Sequence, residues 1–179
     1  LANCSQQWHC CTAQNLFYRR WECGIPVSPT CNANCLGCIS LQPSECCPSP
    51  QSRISFVPTA DEVAAVGTYH LAYAPDGIVS FGQGCEGEPS LAAALIAESI
   101  SLIRGKTSQG MINMNTNAGY TAGIMQIVDA GLDSMRVSMI SALQRSHHAY
   151  YRSDYTVEDV RQSIAYAKSK GIHVSINML

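Results

Sequence analysis

The chain has 179 residues, of which 46% are hydrophobic and 13% are charged, and its formal net charge is −2. This length allows one domain with a substantial core and is too short for two comfortable ones. No basic run points to a nucleic-acid partner, and no apolar run approaches the roughly 18 residues that a membrane helix needs.

The chain begins at Leu1 without a signal-peptide pattern and ends on the strand-like segment "GIHVSINML". We therefore expect it to be part of a longer protein, cut most seriously at its C-terminus.

Two regions of different character are expected. Residues 1–24 contain four cysteines but no clear hydrophobic period, which indicates a cysteine-rich lead-in. A core domain then runs over residues 25–179. Its first strand is expected in "GIPVS", residues 24–28, and a long proline- and serine-rich loop follows at residues 41–55.

Beyond this loop, helix-like and strand-like segments alternate. Thr59 and Glu62 stand at capping-box spacing and predict a helix to about Tyr73. Thr156 caps the last helix, which Gly171 ends. The other segments are strands at residues 77–82, 110–116, 134–141 and 172–179, and helices at residues 88–106 and 121–131. Five strands with four intervening helices predict an α/β fold with a parallel sheet.

The cysteines are distributed unevenly along the chain. Nine of the ten lie before residue 48, and Cys85 alone comes later. A disulfide-stapled secreted domain normally spreads its bridges over the whole fold. The cysteines therefore look like ligands concentrated around a site, which favours a reducing, cytoplasmic setting.

Three cysteines share one short loop in the segment "TCNANCLGCIS". Cys31, Cys35 and Cys38 are four and three positions apart, directly after the first predicted strand. Thiolates in this number suit zinc or an iron–sulfur cluster. A structural zinc site needs a fourth ligand, whereas a [4Fe–4S] cube can leave one iron free. On spacing alone a cluster is favoured, and zinc and disulfides remain open.

In a parallel α/β fold, functional side chains gather where the strands end. The loop after the second strand carries the segment "GCEGEP", residues 84–89, and Asn117 follows the third strand. Ser138 lies on the fourth strand and Ser175 on the fifth. All these groups should face the rim that bears the three cysteines.

These residues resemble the radical S-adenosylmethionine (radical SAM) enzymes. The Cys31-x3-Cys35-x2-Cys38 spacing follows the first strand of the series, and "GCEGEP" resembles the family's Gly-Gly-Glu motif. "NTNAG" is similar to the turn after the third strand, with Ala118 inserted before Gly119, and "RVSMIS" is similar to the fourth strand. The resemblance covers roughly residues 25–179.

The resemblance implies a partial (βα)6 TIM-like barrel, incomplete at the C-terminus, and two cofactors. A [4Fe–4S] cluster held by Cys31, Cys35 and Cys38 would bind SAM at its fourth iron and cleave it reductively. The resulting 5′-deoxyadenosyl radical would abstract a hydrogen atom from a substrate. An electron donor such as a flavodoxin or ferredoxin is also implied, whereas the substrate and the catalytic residues stay unknown.

The resemblance also assigns cofactor contacts. The residues expected to bind SAM are Gly84, Glu86, Gly87, Glu88, Asn117 and Ser138. Glu88 matches the family's glutamate and Glu86 is the weaker candidate for the ammonium group, while Ser138 is the best candidate for the ribose. Arg145 is expected to reach the SAM carboxylate, and Ser175 is a second candidate for the ribose contact.

Each assignment has a structural alternative. Glu86 and Glu88 also suit the N-terminus of a helix, where the macrodipole favours a carboxylate. Ser138 and Ser175 also suit the interior of a barrel, and Asn117 suits a tight turn. Four side chains between the fourth strand and the last helix are expected in a loop or helix start over the rim. They are His147, His148, Tyr150 and Tyr151.

The remaining cysteines could form a second site. Cys46 and Cys47 could join the N-terminal cysteines in an auxiliary cluster or a zinc site, or all could be unligated thiols. The N-terminal set is Cys4, Cys10, Cys11 and Cys23. Two other functions stay open for the whole chain, which are an electron-transfer or structural metal-binding module without SAM and a secreted disulfide protein.

Overall fold

The computed structural model describes residues 2–42, 47–49 and 51–178, and one parallel sheet organises them. Its five strands are hydrogen-bonded in the order of the chain. The strands are β1 (Glu22–Gly24), β2 (Ile78–Phe81), β3 (Met111–Thr116), β4 (Ser134–Met139) and β5 (His173–Met178).

Helices connect the strands and precede the first one. The helices are α1 (Ala2–Gln6), α2 (Cys11–Tyr18), α3 (Ala60–Tyr73), α4 (Ala93–Arg104), α5 (Thr121–Asp129), α6 (Gln144–Tyr151) and α7 (Val157–Ser169), with a 3₁₀ turn at Pro89–Ala92 before α4. Within the described part of the chain, no helix is long and apolar enough to cross a membrane.

The strand order places the helices on one face of the sheet. Because a crossover between parallel strands is right-handed, strands added always on the same side carry their helices to the same face. Accordingly α3 packs on α4, α4 on α5, and α5 on α7. This is the winding of a TIM-like barrel, of which five strands are present here. The predicted parallel α/β fold and partial barrel are confirmed.

Residues along each strand alternate between this helical face and an inner face. Ile112 and Met114 of β3 are fully buried under the helices. Asn113, between them, donates to the Ser80 hydroxyl at 2.8 Å and accepts from the Ser134 hydroxyl at 2.8 Å. The inner face is therefore polar, unlike the branched apolar filling of a closed TIM barrel.

Three elements differ from the sequence-based expectation. The first strand lies at residues 22–24, before the predicted residues 24–28, and its pairing continues only through Ile25, whose N–H donates to the Ser80 carbonyl at 2.9 Å. The lead-in contains α1 and α2, of which α2 packs on β1. Residues 144–151, expected as a loop or helix start, form the complete helix α6.

Capping boxes begin two of the helices, as predicted from Thr59 and Thr156. The Thr59 hydroxyl accepts from the Glu62 N–H at 3.2 Å, and the Thr59 N–H donates to the Glu62 carboxylate at 2.8 Å. The Thr156 N–H donates to the Asp159 carboxylate at 2.7 Å in the same way. Each box satisfies N–H groups that the helix itself leaves without a partner.

Replacing Thr59 by alanine removes the hydroxyl that accepts from the Glu62 N–H and keeps the backbone N–H that donates to the Glu62 carboxylate. We expect Thr59→Ala to lower the free energy of unfolding by about 1 kcal/mol. Urea denaturation of the reduced protein, followed by circular dichroism, measures this change. Ser101→Ala, on the exposed side of α4, is the control and should change it by less than about 0.5 kcal/mol. Equal losses in the two variants would contradict the capping role.

Candidate functional site

A cavity of about 390 Å³ opens where the strands end, and we call it the rim cavity. Its walls include the three cysteines predicted for the cluster and six of the residues that the sequence predicted for SAM. These are Cys31, Cys35, Cys38, Gly84, Glu86, Gly87, Glu88, Asn117 and Ser138. The structure therefore brings together side chains that are more than 100 positions apart in the sequence.

The loop that carries the three cysteines, residues 28–40, is held by the end of helix α6. The Asn34 N–H donates to the Tyr151 carbonyl at 2.8 Å, and the Leu36 N–H donates to the Tyr150 carbonyl at 3.1 Å. The Tyr151 hydroxyl donates to the Ser138 carbonyl at 2.9 Å. Helix α6 therefore ties this cysteine loop to β4, and both tyrosines line the rim cavity.

The cysteine loop also lies directly against the GCEGEP segment. The Gly87 N–H donates to the Ser28 carbonyl at 2.7 Å, and the Glu88 N–H donates to the Thr30 carbonyl at 2.8 Å. A Cβ atom on Gly87 would lie 1.8 Å from the Thr30 carbonyl oxygen, a distance that no side chain tolerates. Gly87 is therefore required by the close approach of the two loops.

Glu86 is buried between the same two loops, and its carboxylate accepts four backbone N–H bonds. One oxygen accepts from Val27 at 2.8 Å and Ser28 at 3.0 Å. The other accepts from Gly82 at 2.6 Å and Gln83 at 2.8 Å. A carboxylate has about four acceptor sites, so Glu86 has none left. Burial raises the pKa of Glu86 to about 7, against the opposing effect of these donors.

Glu88 is also buried, but its acceptor sites are not all filled. One oxygen accepts from the Ser90 N–H at 3.1 Å and from the Thr116 hydroxyl. The other accepts from the Asn117 N–H at 2.9 Å. One of about four acceptor sites is therefore open. Burial raises the pKa of the Glu88 carboxyl, and the same donors oppose this effect.

The three thiols of the cysteine loop differ in their surroundings. Burial, together with a smaller effect of the neighbouring Cys31 and Cys38, raises the pKa of Cys35 to about 11. Burial likewise raises the pKa of Cys31. Burial opposes ionisation of Cys38 as well, but hydrogen bonds from Ser40 and the backbone, together with a nearby arginine, lower its pKa. Cys38 is therefore the thiol whose charge the protein favours.

That arginine is Arg53, which no sequence pattern indicates. It stands in the proline- and serine-rich loop and lines the rim cavity. Its Nε donates to the Ser40 hydroxyl at 3.0 Å, and its Nη2 donates to Cys38 Sγ at 3.6 Å. A single arginine in an irregular loop carries no spacing signal, so only the folded structure identifies it.

The other polar candidates fall into two groups. Asn117 is engaged, because its amide donates to Asn32 at 2.7 Å and accepts from the Gly119 N–H at 2.9 Å. Within the described chain, no hydrogen bond involves the Ser138 hydroxyl, which lines the rim cavity. Arg145 is exposed outside it, and Ser175 lines another cavity beside Arg136.

The predicted auxiliary site is not shown by the structure, which describes all of the additional cysteines except Cys46. Cys4 and Cys10 line a small cavity of about 30 Å³ together with Cys85, while Cys23 is buried in the core. Cys11 and Cys47 are exposed, and Cys46 lies outside the described residues. In residues 2–42, 47–49 and 51–178, no three Cys, His, Asp or Glu side chains are placed to hold one metal ion.

Glu86 should be essential for stability, because it joins the cysteine loop to the loop after β2. A glutamine has one acceptor oxygen, so its amide group would face two N–H donors. We expect Glu86→Gln to lower the free energy of unfolding by about 2–4 kcal/mol. Chemical denaturation measures this change, with Glu98→Gln on the exposed side of α4 as the control. A loss no larger than that of the control would contradict this role.

Comparison with known proteins supports the fold and the family. The family model described as "Radical SAM superfamily" matches residues 25–179. No curated protein sequence matches the chain. Among solved structures, native anSMEcpe with bound AdoMet (S-adenosylmethionine) is similar, with a TM-score of 0.66 and 17% sequence identity over 88% of this chain and 43% of that one.

Two further structures share the fold. Methylornithine synthase (PylB) has a TM-score of 0.61 and 14% identity over 93% of this chain and 47% of its own. HydG, a maturase of the [FeFe]-hydrogenase, has a TM-score of 0.59 and 14% identity over 94% of this chain and 37% of its own. The chain thus spans less than half of each of these structures. The match over residues 25–179 shows that the chain belongs to the radical SAM superfamily.

Proposed function

We propose that this chain is the core of an enzyme in which Cys31, Cys35 and Cys38 hold a [4Fe–4S] cluster and the rim cavity binds SAM. The observation that carries the proposal is the convergence of the cysteine loop, the GCEGEP segment and Ser138 on one cavity. Its volume of about 390 Å³ lies within the range of roughly 300–1,000 Å³ that is typical of small-molecule sites.

The chemistry of the donors fits a cluster with one open iron. The described walls of the rim cavity contain three cysteines and no histidine. Glu86 has all its acceptor sites filled by N–H donors, so it is not available as a fourth ligand. A cube binds each thiolate on a different iron, so its ligands need not converge on one point. Zinc would require such convergence.

Several residues around the rim cavity would bind and orient SAM. The Ser138 hydroxyl has no partner in the described chain and is suited to a ribose hydroxyl. Glu88 retains one open acceptor site for the SAM ammonium group. Glu86 and Gly87 would act indirectly, because they hold the two loops together. Gly84 lines the same wall and Asn117 would act by fixing the turn after β3.

When bound, the cluster and SAM supply a one-electron reduction of the sulfonium and hydrogen abstraction from a substrate. The chain's own residues would shield this chemistry from water. Ile39, Pro89, Tyr150 and Tyr151 provide apolar surface around the cysteines. Such surface keeps solvent away from reactive species. We expect a small protein such as a flavodoxin or ferredoxin as electron donor.

A reducing compartment would keep the cysteines as thiols, which can bind iron. Cys31, Cys35, Cys38 and Cys85 are thiols rather than disulfides in the structure. Since thiolates bind iron and disulfides do not, we propose that the protein works in the cytoplasm.

Cluster assembly tests the assignment of the three cysteines. After anaerobic reconstitution and reduction, we expect a [4Fe–4S] electron paramagnetic resonance signal that changes on addition of SAM. Alanine at Cys31, Cys35 or Cys38 should abolish it, because each thiolate holds one iron. Cys11→Ser, at an exposed position, is the matched control and should retain it. A cluster signal insensitive to SAM would instead indicate an electron-transfer module.

SAM affinity separates the two serine candidates for the ribose contact. We expect Ser138→Ala to weaken SAM binding roughly 3- to 10-fold, the value of one hydrogen bond. Ser175→Ala should leave the affinity unchanged, because Ser175 lines a different cavity. Isothermal titration calorimetry of the reconstituted protein measures both. Equal effects, or an effect of Ser175→Ala alone, would contradict the assignment.

A further inference from the structure

Arg53 reaches the edge of the rim cavity from a loop that has no helix or strand in its described part. Its guanidinium donates through Nε to the Ser40 hydroxyl at 3.0 Å and through Nη2 to Cys38 Sγ at 3.6 Å. A distance of 3.6 Å suits an N–H donor and a sulfur acceptor, whose radius exceeds that of oxygen. Arg53 is partly buried, so solvent only partly screens its charge.

The surrounding contacts fix the guanidinium in this position. The Ser40 hydroxyl donates to the Glu86 carbonyl at 3.3 Å, which joins Ser40 to the GCEGEP segment. The N–H of Ile54 donates to the Cys85 carbonyl at 2.8 Å, which joins the residue after Arg53 to the same segment. The chain next to this arginine and, through Ser40, its side chain are thus both attached to the GCEGEP segment.

The contact is also selective among the three thiols. In the described lining of the rim cavity, Arg53 is the one lysine or arginine, and its hydrogen bond goes to Cys38. A planar guanidinium with several donors can serve Ser40 and a thiolate at once, which a lysine ammonium does less well. The arrangement therefore places one N–H donor at a single cluster ligand, while the positive charge of Arg53 also acts on Cys31 and Cys35.

We propose that Arg53 is a positioning residue that donates a charge-assisted hydrogen bond to Cys38 and raises the reduction potential of the bound cluster. The inference rests on the proposed function, because it requires the cluster at Cys31, Cys35 and Cys38. Reduction adds one negative charge to the cluster and its thiolates. A cation and a donor at one thiolate favour the reduced form, since hydrogen bonds to sulfur and net charge set the potential of such clusters.

The test is a redox titration of the reconstituted protein, monitored by electron paramagnetic resonance. Arg53→Met removes the charge and the donors, and Arg53→Gln removes the charge but retains an amide donor. For Arg53→Met we expect the ratio of reduced to oxidised cluster at a fixed potential to fall about tenfold, which is about 59 mV for one electron. For Arg53→Gln, this ratio should lie between the values for Arg53→Met and for the unmodified protein.

Two further variants separate this role from a general loss of structure. Arg53→Lys retains the charge and should shift the potential less than Arg53→Gln. Ser40→Ala removes the hydroxyl that holds the guanidinium and should shift the potential in the same direction by a smaller amount. Arg161→Gln, on an exposed side of α7 where Arg161 pairs with Glu158 at 2.9 Å, is the control and should leave the potential unchanged.

The outcomes distinguish this inference from the proposed function. If the unmodified protein takes up no cluster, the proposed function fails and this inference fails with it. If it takes up a SAM-sensitive cluster but Arg53→Met and Arg53→Gln retain its potential, the inference about Arg53 alone is overturned. If Arg53→Met holds no iron, the test rests on Arg53→Gln: a lowered reduction potential supports the proposal, and an unchanged potential overturns it. Loss of the cluster in Arg53→Lys as well would assign Arg53 to assembly and also overturn the proposal.

Discussion

The site depends on one buried carboxylate that joins two loops. Glu86 accepts N–H bonds from Val27 and Ser28, at the start of the cysteine loop, and from Gly82 and Gln83, after β2. Without this acceptor, four backbone donors would be buried without partners, at a cost that no packing contact replaces. The short distance between the loops, in turn, leaves room only for hydrogen at Gly87. The position of the three cysteines relative to the GCEGEP segment follows from this contact.

The sheet supplies the second constraint. Because five parallel strands follow in chain order, the helices cover one face and the loops after the strands meet at one rim. The inner face is lined by polar side chains that bond to one another, such as Asn113 with Ser80 and Ser134. Such a face is suited to a solvated or ligand-filled interior. The rim cavity above it therefore combines a rigid scaffold with open space for a cofactor and a substrate.

The sequence predicted the fold and the composition of the rim because both depend on local patterns. Capping boxes, the alternation of apolar residues in strands and the spacing of cysteines each depend on residues that are close in the sequence. That Glu86 has all its acceptor sites filled while Glu88 keeps one open could not be predicted, because this difference depends on which N–H groups surround each carboxylate. Helix α6 was missed because no glycine or proline ends it, and Arg53 was missed because its contacts come from a loop without a repeating pattern. β1 lies at residues 22–24, whereas the prediction was residues 24–28. The prediction rested on apolar character, but the strand is defined by its pairing with β2.

The central claim is that the three cysteines leave one iron open and that SAM binds to it. Electron–nuclear double resonance on the reduced protein tests this directly, with SAM labelled by ¹⁷O in its carboxylate and ¹⁵N in its amino group. The account predicts hyperfine couplings from both labels, because both groups would be bound to the open iron. A reduced [4Fe–4S] signal with no coupling to either label, at a SAM concentration that saturates binding, would contradict it.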